Sequence, residues 1–556
     1  MHRSLLLSIA LALLYVFYGF FLPLYSQKRS PLVPHSLTIP QSLHDPINIL
    51  HLTDVHVSTS RSGPQRYLDA FLTSMYPHLH PHSIILTGDI VEAYGPSHNP
   101  QILQEWQTYK NILSSHDLFS PEKVLEVLGN HCLLGTNTNK PFNPWLNYSI
   151  TSLRKDHESF KQVLSYSNGL SYSFIGINQM NLDQGPVHGL DFFTHMTSSQ
   201  VRKLKNLVVS DNADLLIGFG HYPSNFVLNT KFSRLVQNFD LFLTGHLHTS
   251  SKVFTNEHLE VMTADFAHSH VFRLVLIDNL IVTTKRIVFT TKKNIFPIVV
   301  ISNLPEPSLM VNVPRNACEV FQSIRIMIFD PLIDGDVEIS GIVDDFYHLN
   351  SFSRNGNNNN LFEIEFPLVS FCSGMHRIIL SVTTESGSKE IIQNFSFDTP
   401  SYPSRNFWSI VQVIPWGFNI MLIYFYSILF ISFALFDLIR FIAVNSIPNS
   451  NKFKYIICFL INVFIFGFWF GSGSEFGILL SFGTLSRSGF NFNSVLVLLS
   501  SFNLLGIGIL FRLEIICIRL KFIQLPGKSI MKDILVSLSF GISGIVFVSV
   551  FNNLLH

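Results

Sequence analysis

Short apolar runs that end abruptly in polar residues recur five times between residues 47 and 248. Each run has the length and the continuous hydrophobicity of a strand that is buried on both faces, as in a parallel sheet. The runs predict strands at residues 47–53, 83–87, 124–128, 215–219 and 240–244. Because the carboxyl ends of parallel strands meet at one edge of a sheet, we expect the polar residues that follow these runs to lie together.

A different pattern, in which apolar and polar positions alternate, follows this region. It is clearest at residues 337–343, 361–366 and 376–382, and it is typical of strands with one buried face. About 100 residues of such short strands predict an all-β, immunoglobulin-like sandwich. We assign this domain to residues 296–400.

Long apolar runs at both ends of the chain predict helices that cross a membrane. Residues 5–25 contain no charged side chain, and the run is longer than the apolar part of a cleavable signal peptide. Residues 1–26 are therefore predicted to be an uncleaved signal anchor, with a removed signal peptide as the alternative.

The region 411–556 is predicted to be a helical transmembrane bundle of about four spans. The spans are expected near residues 415–436, 455–473, 495–511 and 534–550. A shorter apolar stretch at 476–485 either extends the second span or forms a re-entrant segment.

The composition agrees with a chain that is partly embedded in a membrane. Hydrophobic residues make up 47% of the 556 residues and charged residues only 13%, roughly half the charged fraction of an ordinary soluble domain. Residues 402–556 contain only one of the 23 histidines, so chemistry is expected in the front part and anchorage in the back. The chain has no basic stripe of the kind that binds phosphate backbones, which argues against nucleic acid as a partner.

Basic residues in the short loops of the back region predict the orientation. Most of them lie in two loops, which contain Arg440, Lys452, Lys454, Arg512, Arg519, Lys521, Lys528 and Lys532. By the positive-inside rule these loops face the cytosol, so residues 27–410 are expected in the lumen or outside the cell. The chain is thus predicted to be an integral membrane protein of the secretory pathway or cell surface.

Two further features suit a non-cytosolic compartment. Asn147 and Asn394 each begin an Asn-x-Ser sequence and are candidate glycosylation sites. Cys318 and Cys372 lie in the predicted β domain and are a candidate disulfide pair, with two separate buried thiols as the alternative.

The residues that end the five apolar runs are of metal-ligating types. Seven of them are candidate ligands, namely Asp54, His56, Asp89, Asn130, His221, His246 and His248. A set of carboxylate, amide and imidazole donors without thiolate suits Mn, Fe, Zn or Mg rather than a structural zinc cluster. Seven ligands are too many for one ion, but they fit two divalent ions about 4 Å apart that share one carboxylate.

In the order and spacing of these motifs the chain resembles the calcineurin-like metallophosphoesterases over about residues 47–290. The motifs are Asp54-x-His56, Gly88-Asp89, Gly129-Asn130-His131, Gly220-His221 and Gly245-His246-x-His248. The resemblance implies an α/β domain with a β-sandwich core flanked by helices, which we assign to residues 44–295. The order of anchor, domains and bundle, together with residues 296–303 and 373–382, also resembles the transmembrane protein 62 family.

The resemblance implies a role for each residue of the motifs. Asp54, His56, Asp89 and His248 would hold one ion, and Asp89, Asn130, His221 and His246 the second, so that Asp89 bridges them. His131 would give a proton to the leaving group, since an imidazole titrates near neutrality. The two cations would activate a water molecule and neutralise the phosphoryl oxygens.

One position departs from the family pattern, which has an acidic residue after Asn-His. This chain has Cys132 there, and a thiol orients His131 poorly. We therefore expect intact metal binding with reduced turnover, and a gain in turnover on Cys132→Asp, unless Glu92 or Asp183 replaces the missing carboxylate. His268 and His270 lie on a strand-like run and are given a minor supporting role at most.

Two classes of function follow. The first is a membrane-anchored dimetal hydrolase of phosphomonoesters or phosphodiesters, whose substrate could be a lipid or glycolipid head group, including phosphodiesters on glycolipid anchors. The second is a catalytically weakened or inactive metal-binding receptor or interaction platform, and Cys132 is the feature that favours it.

Overall fold

The structure, a computed structural model, describes residues 38–401 with short gaps, and four strands between residues 465 and 492. The gaps comprise residues 96–99, 137–142, 183–184, 186–193, 228, 256–257, 292–293, 311–312 and 400. The chain divides into two compact units, and the larger one contains most of the residues up to 414. Each unit is described by itself.

Two β-sheets form the first part of the larger unit. Their strands are β1 (Ile47–Leu52), β2 (Ser83–Thr87), β3 (Val124–Val127), β4 (Ser159–Ser165), β5 (Ser171–Ile177), β6 (Leu215–Gly220), β7 (Leu241–Thr244), β8 (Ser251–Thr255), β9 (His258–Met262), β10 (Val271–Asp278) and β11 (Ile281–Val288). The first sheet has the order β11-β10-β1-β2-β3 and the second the order β4-β5-β6-β7-β9-β8. Strands β1, β2 and β3 are parallel, as are β5, β6, β7 and β9.

The five strands predicted from the apolar runs are confirmed as β1, β2, β3, β6 and β7. Every residue in them is buried, as the continuous hydrophobicity predicts. Ile49 and Ile85 of the first sheet share one hydrophobic cluster with Phe174 and Ile217 of the second, so the two sheets form a sandwich. The predicted α/β domain with a sandwich core is confirmed.

Helices connect these strands. They are α1 (Gly63–Ser74), α2 (Tyr76–Leu79), α3 (Leu103–Ser115), α4 (Asn130–Leu133), α5 (Trp145–Tyr148), α6 (Ser198–Val209), α7 (Thr230–Val236) and α8 (Phe266–Ser269), with 3₁₀ turns at Thr151–Leu153 and Ser224–Phe226. Helix α1 buries Leu68, Phe71 and Leu72, a spacing of three and four residues that places them on one face. Helix α6 begins with a capping box between Thr197 and Gln200.

The strand-like run on which His268 and His270 are expected to lie is instead the short helix α8. The side chain of Asp265 accepts hydrogen bonds from the backbone N–H groups of His268 and Ser269 and caps the helix. This local cap outweighs the weak strand pattern of the run. His270 follows the helix with a left-handed backbone.

Residues 298–395 form the β-rich region that the alternating pattern predicts. Its strands are β12 (Ile298–Ile301), β13 (Ser323–Phe329), β14 (Glu338–Val343), β15 (Tyr347–Leu349), β16 (Ser353–Arg354), β17 (Leu361–Glu365), β18 (His376–Thr384) and β19 (Gly387–Phe395). They form two four-stranded sheets, β12-β13-β17-β16 and β15-β14-β18-β19. Helix α9 (Ala317–Val320) and 3₁₀ turns at Pro307–Leu309 and Leu368–Phe371 connect them. The immunoglobulin-like assignment stays a prediction.

The two regions of the larger unit share a continuous core. Val275 of β10 and Ile281 of β11 belong to the same hydrophobic cluster as Val299 of β12 and Ile326 of β13. Within the β-rich region, Cys318 and Cys372 are joined in a disulfide with their Cα atoms 5.4 Å apart. The catalytic candidates therefore lie in a body that also includes the β-rich region.

The described part of the smaller unit contains an antiparallel sheet. Its strands, in sheet order, are β20 (Ile465–Phe470), β21 (Phe476–Leu480), β22 (Gly483–Ser486) and β23 (Gly489–Phe492). The predictions of a helix over 455–473 and of its extension over 476–485 are wrong at these strands, and the re-entrant alternative for 476–485 stays a prediction. Aromatic residues favour strands, and the glycines of this stretch each cost a helix about 1 kcal/mol.

The other predicted spans, at residues 5–25, 415–436, 495–511 and 534–550, lie outside the described residues. In the described part of the chain, no helix has both the length and the apolar character that a bilayer crossing requires.

Candidate metal centre

The loops after the parallel strands carry the candidate ligands in an unusual backbone conformation. Five of the seven ligands have a positive φ, namely Asp54 (52°), His56 (48°), Asp89 (48°), His246 (73°) and His248 (52°). Residues other than glycine rarely adopt this conformation, which costs about 1–3 kcal/mol at each position. The fold thus holds these side chains in place against a local conformational preference, as functional sites commonly do.

Glycine is required where the loops approach each other most closely. At Gly88, with φ +83°, an added Cβ would lie 2.5 Å from Nδ1 of His221 and 2.8 Å from the backbone of Gly129. At Gly129 a Cβ would overlap the Asp89 carboxylate, and at Gly245 it would overlap Thr53. The glycines that precede the ligands in the motifs therefore let the ligand loops pack against one another.

Three of the candidate ligands form a first group. Nε2 of His248 lies 3.3 Å from Oδ1 of Asp54 and 3.3 Å from Nε2 of His56. Nε2 of His56 lies 3.9 Å from Oδ1 of Asp54. One ligand atom from each residue thus faces a common point, and the three atoms lie within 4.8 Å of one another.

Three others, Asn130, His221 and His246, form a second group next to Asp89. Oδ1 of Asn130 lies 2.8 Å from Nε2 of His221 and 3.2 Å from Nδ1 of His246. Oδ2 of Asp89 lies 3.4 Å from Nε2 of His221 and 3.9 Å from Nε2 of His56. Asp89 is therefore within reach of both groups, and all seven predicted ligands are brought together.

The donor atoms in the first group fit a bound cation. Oδ1 of Asp54 is buried and has no hydrogen-bond partner among the described residues, whereas Oδ2 accepts from Thr53 Oγ1 and from the backbone N–H of His246. A buried carboxylate oxygen without a donor is costly, and a cation removes that cost. The outward nitrogen of His221 donates to the carbonyl of Thr87, 2.8 Å away, which leaves Nε2 directed at the centre.

The electrostatics also favour positive charge at both groups. Burial is the largest single influence on His221 and opposes its protonation, but the Asp89 and Asp54 carboxylates and the Thr87 carbonyl together outweigh it and raise this pKa to about 9. Burial likewise opposes protonation of His248, and the Asp54 carboxylate raises its pKa to about 9. Burial would raise the pKa of Asp89, yet the neighbouring imidazoles hold it well below its ordinary value. Bound divalent ions would supply the positive charge that both carboxylates attract.

His131 lies beside the two groups, where the predicted proton donor should be. Its backbone N–H donates to Oδ1 of Asp89 (2.8 Å), and its Nε2 lies 4.0 Å from Oδ2 of Asp89. Its Nδ1 donates to the backbone carbonyl of Glu92 at 2.7 Å. The ring also packs edge-on against His56, with the centroids 4.7 Å apart. A carbonyl, which no sequence motif identifies, thus orients the ring.

Cys132 does not take the place of an orienting carboxylate. Its buried Sγ accepts a hydrogen bond from the backbone N–H of Ile90, and burial raises the pKa of the thiol. The carboxylate of Glu92 pairs with Arg61 and lies 3.8 Å from Nδ1 of His56. Asp183 lies outside the described residues. The Glu92 carbonyl, rather than residue 132, orients His131, and the expected reduction in turnover stays a prediction.

The sequence analysis did not identify Arg61, and it gave only a minor role to His268, which Arg61 contacts. Arg61 bonds through one terminal nitrogen to Glu92 and through the other to Nε2 of His268. Nδ1 of His268 lies 3.0 Å from Oδ2 of Asp265, and the ligand atoms of His248, Asp265 and His268 lie within 4.8 Å of one another. Because these contacts join residues far apart in the chain, no local pattern could have identified them.

A family model matches the part of the chain that contains the candidate ligands. The family model described as calcineurin-like phosphoesterase matches residues 47–250. No curated protein matches the chain, so the narrower resemblance to the transmembrane protein 62 family stays a prediction.

Several solved structures resemble part of the chain at low identity. A protein assigned as a 5′-nucleotidase from Staphylococcus aureus is 12% identical with a TM-score of 0.30, over 45% of this chain and 56% of its own length. GAP50 of Plasmodium is 15% identical with a TM-score of 0.30, and the match covers 45% of this chain and 87% of GAP50. PhoD is 10% identical with a TM-score of 0.29, and the match covers 69% of this chain and 79% of PhoD.

The family match and the ligand loops cover the same part of the chain. All seven candidate ligands and His131 lie between residues 47 and 250. Residues 47–250 therefore carry a calcineurin-like phosphoesterase domain.

Proposed function

We propose that the chain hydrolyses phosphoester bonds at a centre of two divalent ions. The observation that carries this proposal is the convergence of seven metal-ligating side chains from five loops on the Asp89 carboxylate, with buried acceptor atoms that a cation would satisfy. Asp54, His56 and His248 would hold one ion and Asn130, His221 and His246 the other, with Asp89 shared. Bound there, the ions would neutralise the phosphoryl oxygens and activate the attacking water.

The chain's own residues would orient the substrate and supply the proton. The backbone N–H of His131 and its Nδ1 are both engaged, with Asp89 and with the carbonyl of Glu92. An imidazolium in this position would therefore carry its second proton on Nε2, on the side of Asp89. That proton would pass to the leaving oxygen as the phosphorus–oxygen bond breaks.

We also propose that the domain faces a non-cytosolic compartment and is tethered to a membrane, where a lipid or glycolipid head group is one substrate class. The Cys318–Cys372 disulfide suits an oxidising compartment. Asn147 and Asn394 are both exposed, as a glycosylation site must be. Digestion with an N-glycosidase should shift the mobility of the native chain, and Asn147→Gln with Asn394→Gln should abolish the shift. An unchanged mobility of the native chain would contradict this location.

The hydrolytic proposal is tested by metal analysis of the purified full chain, together with hydrolysis of aryl phosphomonoesters and phosphodiesters. Asp89→Asn keeps the shape of the side chain but removes the shared charge, and it should lower activity by more than about 100-fold. Asp69→Asn is the matched control, because Asp69 is exposed on α1 and its ion pair in the described part of the chain is with His116. This control should retain activity and metal.

Three outcomes are informative. About two ions for each chain, with activity that depends on Asp89, would support hydrolysis. Two ions without hydrolysis of either substrate would favour the interaction platform, although Cys132 no longer argues for it, since its thiol faces Ile90. A chain that binds no divalent ion would contradict the centre itself.

A further inference from the structure

Arg61 contacts two residues that neighbour ligands of the metal centre, Glu92 and His268. One terminal nitrogen donates to the carboxylate of Glu92, which is 4% exposed and lies 3.8 Å from Nδ1 of His56. The other donates to Nε2 of His268, whose ring centroid is 6.4 Å from that of His248. Arg61 is therefore held between neighbours of two ligands of the first ion.

Both anchors of Arg61 are themselves held in place. The backbone carbonyl of Glu92 accepts from His131, and Nδ1 of His268 donates to Oδ2 of Asp265. With its Nδ1 proton donated to Asp265, His268 offers Arg61 a lone pair on Nε2, so the two side chains attract rather than repel. The guanidinium is thus positioned before any ligand arrives, which reduces the entropy lost on binding.

Much of the hydrogen-bonding capacity of Arg61 is unused. A guanidinium has five N–H groups, and the contacts to Glu92 and His268 use one on each terminal nitrogen. In the described part of the chain, the remaining N–H groups have no protein partner. The side chain is 39% exposed, so these donors are accessible from solvent. Planar paired N–H donors of this kind match the oxygens of a phosphate group.

We infer that Arg61 is a substrate-binding residue, which takes a phosphate oxygen that the ions leave unbound and thereby selects phosphomonoesters over phosphodiesters. A phosphomonoester near neutral pH carries almost two negative charges, since its second pKa is about 6. A phosphodiester carries one negative charge and has one fewer terminal oxygen. The additional charge and oxygen are what an accessible guanidinium binds. This inference rests on the proposed function, because it assigns the substrate class of the same centre.

The test compares 4-nitrophenyl phosphate with bis(4-nitrophenyl) phosphate, with the full chain supplied with Mn²⁺. Arg61→Gln should lower kcat/KM for the monoester by about 10- to 100-fold and for the diester by less than about 3-fold. Arg66→Gln is the matched control, since Arg66 is an exposed arginine on α1 whose Nε donates to the backbone carbonyl of Ser62, 2.9 Å away. It should change neither value. Equal losses for both substrates, or none, would overturn the inference.

A second variant guards against a general disturbance of the centre. Arg61→Gln leaves the buried Glu92 carboxylate without its cation, which could weaken the site as a whole. Arg61→Lys keeps that charge but lacks the planar fork, so it should retain bound metal and the diester rate while the monoester kcat/KM falls by about 3- to 10-fold. Metal analysis of each variant identifies a disturbed centre, and an unchanged monoester rate in Arg61→Lys would count against the inference.

Binding of inorganic phosphate separates this inference from the proposed function. Titration calorimetry of the Mn²⁺-supplied chain should give a Kd for phosphate about 10-fold weaker in Arg61→Lys than in the native chain. If the native chain hydrolyses neither ester but shows this difference, hydrolysis fails while the subsite stands. If the native chain hydrolyses the esters and the two Kd values are equal, the subsite fails while hydrolysis stands.

Discussion

The first sheet has buried charged groups at both of its ends. At one end, atoms of these groups lack hydrogen-bond partners in the described part of the chain, whereas at the other end the groups are well paired. At the carboxyl end of β1, Asp54 and His56 lie among other ligands, and each has a buried atom with no hydrogen-bond partner among the described residues. At the amino end, Asp278 of β10 is fully buried but well partnered. It pairs with Arg325 and accepts from Ser302 Oγ at 2.6 Å and Asn279 Nδ2 at 2.8 Å.

A buried charge with a full set of protein partners has a structural role, whereas a buried charge that lacks partners is suited to binding a ligand. Asp278 and Arg325 join the α/β domain to the β-rich region, and the guanidinium also donates to the carbonyl of His44 and to Glu363. These donors and acceptors satisfy each other, so nothing further is needed. At the other end, carboxylate, amide and imidazole atoms face one another, and a buried oxygen of Asp54 has no hydrogen-bond partner among the described residues, so a bound cation would stabilise this arrangement.

The largest effect is expected at the amino end. Arg325→Leu leaves Asp278 buried without a cation and should lower the free energy of unfolding by about 3–5 kcal/mol, measured by urea denaturation of the full chain. Arg377→Leu is the control, because Arg377 pairs with Asp345 on the surface and should cost less than about 1 kcal/mol. Similar losses in the two variants would remove the distinction between the buried and the exposed pair.

Metal ions should stabilise only the carboxyl end. At a free ion concentration 100 times the Kd, each bound ion should add about 2.7 kcal/mol to the free energy of unfolding. Because the two ends share no partner, Arg325→Leu should show the same increment as the native chain. The comparison is made by urea denaturation in EDTA and in Mn²⁺. An increment that disappears in Arg325→Leu would mean that the ends are coupled.

A smaller effect is expected from the glycine before Asp89. Gly88→Ala places a Cβ 2.5 Å from Nδ1 of His221, so that imidazole must move and metal affinity should fall by about 10- to 100-fold. Gly169→Ala is the matched control, since Gly169 also has a positive φ (+91°) but has open space around its Cβ position. Both variants lose backbone stability, of about 1 kcal/mol. Equal metal affinity in a chelator competition would contradict the close approach at Gly88.

The smallest effect is expected at Cys132. Since its thiol accepts from the backbone of Ile90 and does not orient His131, Cys132→Ser should change turnover by less than about 3-fold, a hydroxyl being able to accept the same bond. Cys132→Asp, which the family pattern predicts to be faster, should instead lose stability because a carboxylate would be buried there. A clear gain in turnover for Cys132→Asp would restore the expectation from the sequence.

The local sequence pattern predicted an element correctly where a single physical requirement, such as burial of a strand on both faces, decided it. The apolar runs before Asp54, Asp89 and His221 had to be buried strands, and they are. The run at 465–470 shows the limit of this reasoning, because a short apolar segment has the same composition in a buried strand and in a helix. His268 was likewise assigned to a strand, since the cap from Asp265 depends on backbone geometry that periodicity does not reveal.

The sequence by itself determined where five buried strands lie along the chain, which seven side chains are candidate ligands and which glycines precede them, because each follows from burial or from the chemistry of a single side chain. Only the tertiary structure decided which atoms meet. His131 donates to a carbonyl 39 residues away, and Arg61 contacts His268 across 207 residues. Contacts of this kind depend on how whole elements pack. The packing energy is distributed over many side chains, so it cannot be predicted from any short segment of the sequence.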